Sequence, residues 1–227
     1  MRVLFVSKSI HDVSGAGVGS RMHLNVLKKL VGKENVYVVD VGVSETARKE
    51  EKYIAYGKYH NKLDRLHRCL EGNTYLFSNK IINDICQLIK SEGISFVFVD
   101  DSYFGNLVKT VKKECDAVTV VTFFHDIKAS LFRIWMKTEP WYGKIDLRIG
   151  IAQEKISTTY TDANIVLNQN ENRLLRNYYN VNTDYYFPVC VSKENIKQLA
   201  ENPFCGNKHS ICWHILFAKH SGPALVL

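Results

Sequence analysis

The feature that most constrains this chain is a repeated alternation: short, continuous runs of Val, Ile and Phe separated by segments whose apolar residues recur every three to four positions. Val3–Val6 is the first run, and Met22, Val26, Leu27, Leu30 and Val31 follow at helical spacing. Further rounds pair strands at Val36–Val41, Ile94–Val99, Ala117–Phe124 and Ala163–Leu167 with helices. These helices carry Ile81, Ile82, Ile85, Cys86 and Ile89, then Leu107, Val108 and Val111, then Lys144–Tyr160, then Glu171–Tyr179. Tyr185–Val191 reads as an edge strand, where Pro188 can spare its missing amide donor. Strands without polar alternation are buried on both faces, so the pattern predicts an α/β fold with a doubly wound, mainly parallel, Rossmann-like sheet and helices on both faces. Right-handed crossovers bring the loops after Val6, Val99, Phe123 and Leu167 to one edge of that sheet.

One segment departs from the pattern. Ser44–Ser78 is charged, and Tyr53, Tyr56 and Tyr59 continue into Leu63, Leu66 and Leu70 at helical spacing, so residues 44–78 are expected to form a helical excursion. The tyrosine face either packs on the domain or makes peripheral contact with a membrane or a lipid-linked substrate.

With 46% hydrophobic and 23% charged residues, the chain can bury one sizeable core. The apolar run at the start is too short for a secretory signal, and no later run reaches the length of a membrane span, so a cytoplasmic location, peripheral to the inner membrane face at most, is expected. Six scattered cysteines in such a chain imply reduced thiols and no structural disulfide. The net charge of +7 suits phosphate-bearing ligands or an anionic surface. Its Lys and Arg are not gathered on one stripe, which argues against nucleic acid.

Several loops could carry chemistry. Gly15, Gly17 and Gly19 lie between the first strand and the first helix, where backbone amides and the helix dipole receive anions. Ser20 stands where a dinucleotide fingerprint wants its last glycine, yet Asp40, at the end of the second strand, occupies the place of a ribose-binding carboxylate. His125 and Asp126 follow the strand ending in Phe124, at the ligand edge. Asp101 and Ser102 could contact sugar hydroxyls or cap the following helix, and Asn168 has the same two readings. Cys205, His209, Cys212 and His214 match no common zinc spacing, and no metal site is expected.

The succession MRVLFVSKS, a Gly-rich turn into a helix, VTFFHDI and TDANIVLNQNENRLLRNYYN resembles the N-terminal, acceptor-side domain of the large family of retaining GT-B glycosyltransferases that includes bacterial capsule and exopolysaccharide enzymes. The resemblance covers about residues 1–192. It implies transfer of a sugar from a nucleotide sugar to a growing polysaccharide or lipid-linked glycan, with no bound cofactor. Gly15, Gly17 and Gly19 match the turn facing the donor phosphates, and His125 matches the histidine directed at the donor sugar. Asp126 stands where many relatives carry a polar residue, and Asn168 matches a position near the hinge. The family's second, donor-binding domain cannot be built from residues 193–227, which read as a linker and the start of such a domain. The resemblance therefore implies a separate donor-domain chain or a truncated one, with a non-catalytic scaffold subunit of a glycan-synthesis complex and an NAD(P)-dependent oxidoreductase as the other readings.

Overall fold

A computed structural model describes residues 1–8, 10–12, 14–43 and 52–188. Met1–Phe187 forms one compact unit. The cluster Cys205, His209, Cys212 and His214, the end of the expected strand beyond Pro188 and the residues 193–227 lie outside the described residues.

Seven strands pair in parallel in the order β3-β2-β1-β4-β5-β6-β7. They are β1 (Val3–Ser7), β2 (Val36–Val43), β3 (Tyr53–Gly57), β4 (Phe96–Val99), β5 (Thr119–Phe124), β6 (Ala163–Val166) and β7 (Tyr185–Tyr186). The helices are α1 (Gly15–Val31), α2 (Lys62–Leu70), α3 (Asn79–Glu92), α4 (Gly105–Glu114), α5 (Lys128–Trp135), α6 (Trp141–Tyr160) and α7 (Gln169–Tyr179). The strand order reverses between β1 and β4, the switch point at which such sheets open a ligand crevice.

The central strands are apolar on both faces, as their composition requires. Leu4, Val6, Val97, Val99 and Val120 pack against Ile82, Ile85 and Ile89 of α3 and Leu107, Val108 and Val111 of α4. On the opposite face Phe5, Val38, Phe98, Val121 and Phe123 meet Leu24 and Leu27 of α1. Each fully buried Phe, Leu or Ile contributes about 1.5–3 kcal/mol, so these two layers dominate the stability. Side chains mark the helix starts: Ser14, Asn61, Ser78 and Asn168 accept hydrogen bonds from first-turn amides. Gly93 and Asn180, both with positive φ, close α3 and α7.

Three sequence expectations need correction. Tyr53–Gly57 is a strand, pairing with β2 from Val38↔Tyr53 to Val43↔Gly57, so the excursion is helical only over Lys62–Leu70 among its described residues before Asn79. Tyr53 packs on the α1 side of the sheet while Ile54 and Tyr56 pack on the other, a period of two rather than three. The glycines are not a loop: Gly15, Gly17 and Gly19 lie within the first turns of α1, and none has positive φ. Lys128–Trp135, too short for a clear period, is an additional helix.

Two glycines bring helices together at the ligand edge. A Cβ on Gly105 would stand 2.1 Å from the Gln153 carbonyl oxygen, and one on Gly150 would stand 2.5 Å from the Phe132 ring. Their absent side chains let α6 lie close to α4 and α5, which fixes where the residues after β4 and β5 emerge.

Candidate functional site

Because the strands are parallel and in register, Ser7, Asp100 and His125 leave β1, β4 and β5 side by side. Val6 pairs with Val99, Val99 with Thr122, and the Asp100 amide still donates to the Val6 carbonyl at 2.8 Å. Asp100 is the hub of this edge. Its Oδ1 lies 2.7 Å from His23 Nδ1 and 3.4 Å from His125 Nε2. Its Oδ2 accepts from Ser7 Oγ at 3.1 Å and from Ser20 Oγ. His23 and Ser20 come from α1, three residues apart, on the face that α1 turns to the sheet. The rings of Phe123 and Phe187 pack on His23 at centroid distances of 4.3 and 4.8 Å.

All of these polar groups are buried. Burial by itself would raise the Asp100 carboxyl, but the neighbouring His125 and His23 outweigh it and hold the group below the usual carboxylate range. Burial would likewise depress His125, yet Asp100 and then Asp101 outweigh it and raise the imidazole above its ordinary value. Nε2 of His23 and Nε2 of His125 lack a hydrogen-bond partner among the described residues. Among the described residues, His23, Asp100 and His125 are also the one group with ligand atoms close enough to hold a metal ion, all within 4.8 Å of one another. In the present arrangement both Asp100 oxygens already accept hydrogen bonds from this network.

Beside this network stands a set of ion pairs. Lys8 Nζ lies 2.8 Å from Asp101 Oδ2 and 4.1 Å from the centre of the Tyr103 ring. Lys128 Nζ lies 4.0 Å from the same carboxylate and 3.5 Å from Asp126. Asp101 is buried, which would raise its carboxyl, but Lys128 and Lys8 reverse that and hold it far below the ordinary range. Lys128 is buried too, and the charges of Asp101, Asp126 and Glu154 outweigh that burial and raise its ammonium. Glu154 of α6 ties the wall together. Its carboxylate accepts from Ser102 Oγ at 2.8 Å, the Lys128 amide at 2.8 Å, the Ala129 amide at 3.0 Å and Tyr179 Oη at 2.6 Å.

The sequence-derived candidates thus fall into different places. His125 sits at the switch-point edge, and Asp126 beside it is exposed. Asp101 caps the following turn by accepting from the Tyr103 amide at 2.9 Å, and its outer oxygen is held by lysines rather than open to a sugar. Ser102 is fully buried, its hydroxyl spent on Glu154, which corrects its assignment as a sugar contact. Asn168 caps α7, accepting from the Asn170 and Glu171 amides at 2.8 and 3.1 Å. Gly17 and Gly19 are buried, whereas Gly15 is exposed with nothing within 4 Å of a Cβ. Asp40 is closed off from a ribose: it is buried, Tyr53 Oη donates to its Oδ2 at 2.7 Å, and His11 Nε2 lies 3.5 Å away.

The structure of WaaB, a lipopolysaccharide outer core galactosyltransferase in its apo form, matches this chain with a TM-score of 0.53 at 15% identity, covering 85% of this chain and 47% of that one. The two chains share a fold, a parallel α/β sheet with helices on both faces. The chain spans about half the length of that galactosyltransferase. No protein-family model matches the sequence, and no curated protein matches it. Among the described residues no helix is long and apolar enough to cross a membrane.

His23, Ser7, Lys8, Lys128 and Glu154 were not singled out by the sequence, and Ser20 was noted only as a departure from a glycine pattern. A usable signal existed for two of them. Ser20 and His23 interrupt the apolar stripe of α1 on the side that continues into Leu24 and Leu27, where a polar residue needs a buried partner.

Proposed function

We propose that this domain is the acceptor-side half of a retaining glycosyltransferase, with the nucleotide-sugar-binding half supplied by further chain or by a separate polypeptide. The observation that carries the reading is the placement of His125 at the β1/β4 switch-point edge, buried against Asp100, in a fold shared with a galactosyltransferase. A raised imidazole held by a carboxylate can donate to a sugar hydroxyl or to developing negative charge near the reaction centre. The exposed first turn of α1 at Gly15 then faces the donor diphosphate, with its backbone amides as anion receptors. Reaction would proceed by positioning an acceptor hydroxyl against the anomeric carbon, with no bound cofactor. The acceptor in this reading is a growing polysaccharide or lipid-linked glycan.

The purified chain is tested by thermal shift and turnover against nucleoside-diphosphate sugars, lipid-linked saccharides and NAD(P), with His125→Gln in parallel. Stabilisation by a saccharide or nucleotide sugar, diminished in the variant, is expected. Stabilisation by NAD(P) and by none of the sugars would sink the proposal in favour of an oxidoreductase, against which the closed Asp40 site argues.

A further inference from the structure

The α2 helix is amphipathic in the wrong sense for a soluble surface. Its polar side faces the protein: Arg68 is buried and donates from Nη1 to the Tyr75 and Leu76 carbonyls at 3.0 and 3.2 Å. Asp64 pairs with Arg68 at 3.0 Å, Arg65 pairs with Asp146 of α6, and Cys69 Sγ donates to Asp146 Oδ1 at 3.3 Å. Its apolar residues face outward. Leu63, Leu66 and Leu70, one helical stripe, are 77%, 54% and 79% exposed.

The stripe does not stand alone. Asp146, which anchors α2, sits one position after Ile145, and the start of α6 exposes Trp141, Tyr142 and Ile145, preceded at the end of α5 by exposed Ile134 and Trp135. Two indoles, a phenol and three leucines, exposed on elements that Asp146 joins, exceed the scattered single residues ordinary on a soluble surface. Both parts lie toward the edge where the strands end, because α2 follows the C-terminal end of β3 and α6 begins after the C-terminal end of β5.

The surrounding charge identifies the occupant. Lys62, Arg133, Lys137 and Arg148 are exposed around these residues, Lys144 is half-buried, and Lys62, Lys137, Lys144 and Arg148 form no ion pair with a described residue. Glu139 is the exposed acid of the α5–α6 turn, and Asp64 and Asp146 are taken by arginines. Leucines with Trp and Tyr, rimmed by unpaired cations, match the interface of an anionic lipid bilayer, where aromatic rings lie at headgroup depth and basic groups meet lipid phosphates.

We infer that the α2 stripe and the α5–α6 turn form a docking surface for an anionic membrane, which holds the ligand edge near the lipid. Of the two readings of Tyr53, Tyr56 and Tyr59, the structure favours packing on the domain over membrane contact: Tyr53 and Tyr56 lie in β3 against the core, and all three are half-buried. The inference stands on this surface alone and does not require the transferase reading.

The test is co-sedimentation of the whole chain with vesicles of phosphatidylcholine alone and of phosphatidylcholine containing about one-third phosphatidylglycerol, at low and high salt. Binding is expected only to the anionic vesicles, and weakening with salt. A Leu66→Glu/Leu70→Glu variant, altered only at exposed positions, is expected to lose about tenfold or more in affinity. Lys62→Ala and Lys137→Ala should each cost about fivefold. Circular dichroism and sedimentation velocity accompany every variant. No binding by the unaltered chain, equal binding to neutral vesicles, or undiminished binding by a folded double-Glu variant overturns the inference. So does a concentration-dependent dimer that the double-Glu variant abolishes, because the stripe would then be covered by a second copy.

Discussion

Asp100→Asn isolates the charge at the centre of the candidate site. The amide is nearly isosteric, so the backbone bond to Val6 survives, the amide oxygen can still accept from His23 Nδ1, and the hydroxyls of Ser7 and Ser20 can rotate to accept from the new NH2. What disappears is the buried negative charge beside two imidazoles. Hydrogen bonds to a charged acceptor contribute about 1.5–3 kcal/mol against about 1 kcal/mol for neutral ones, so the variant should lose about 1–2 kcal/mol of stability. The loss should depend on pH. His125 is raised in the folded state, so its contribution is fully present below its unfolded value near pH 6.5 and fades as pH rises through the higher folded value. Asp100 is lowered, so its contribution vanishes only as the solution becomes acidic enough to protonate it in the fold; measurements above about pH 5 keep it ionised. Urea denaturation at about pH 6 and about pH 9 should therefore show a wider gap between the two proteins at the lower pH. An NMR titration of the His125 imidazole should show a lower pKa in the variant. A gap of equal size at both pH values, with an unchanged His125 titration, would refute the idea that Asp100 holds His125 protonated.

Two further substitutions test the framework. Gly105→Ala would drive its Cβ against the Gln153 carbonyl and Ile156, prising α4 from α6, and should cost about 1–3 kcal/mol by denaturant melting. Gly15→Ala meets open space in a helical turn and should leave stability unchanged or raise it by up to about 1 kcal/mol, so any loss of nucleotide-sugar binding in that variant reports on the ligand alone.

The sequence by itself determined the α/β class, the parallel central strands and the edge at which chemistry would gather. Continuous Val, Ile and Phe runs such as Leu4–Val6 and Val97–Val99 can be satisfied only by burial on both faces, and that signal is local. It also placed His125 at that edge, since the end of a buried run is legible without its neighbours. Tertiary pairing decided the rest. Tyr53, Tyr56 and Tyr59 carry helical spacing, yet β2 offers Val38–Val43 as an open edge, and the hydrogen bonds gained there override the local period. The partners of Asp100 are 77 residues away in α1 and in the next strand's exit, and Glu154 gathers Ser102, Lys128, Ala129 and Tyr179 from three elements. No local pattern encodes such meetings, because a buried charge chooses its partners from whatever the packed helices bring within hydrogen-bond reach. The outward turn of the leucines on α2 follows the same logic. The stripe is visible in the sequence, but only Arg68, buried on the opposite side, shows which way it faces.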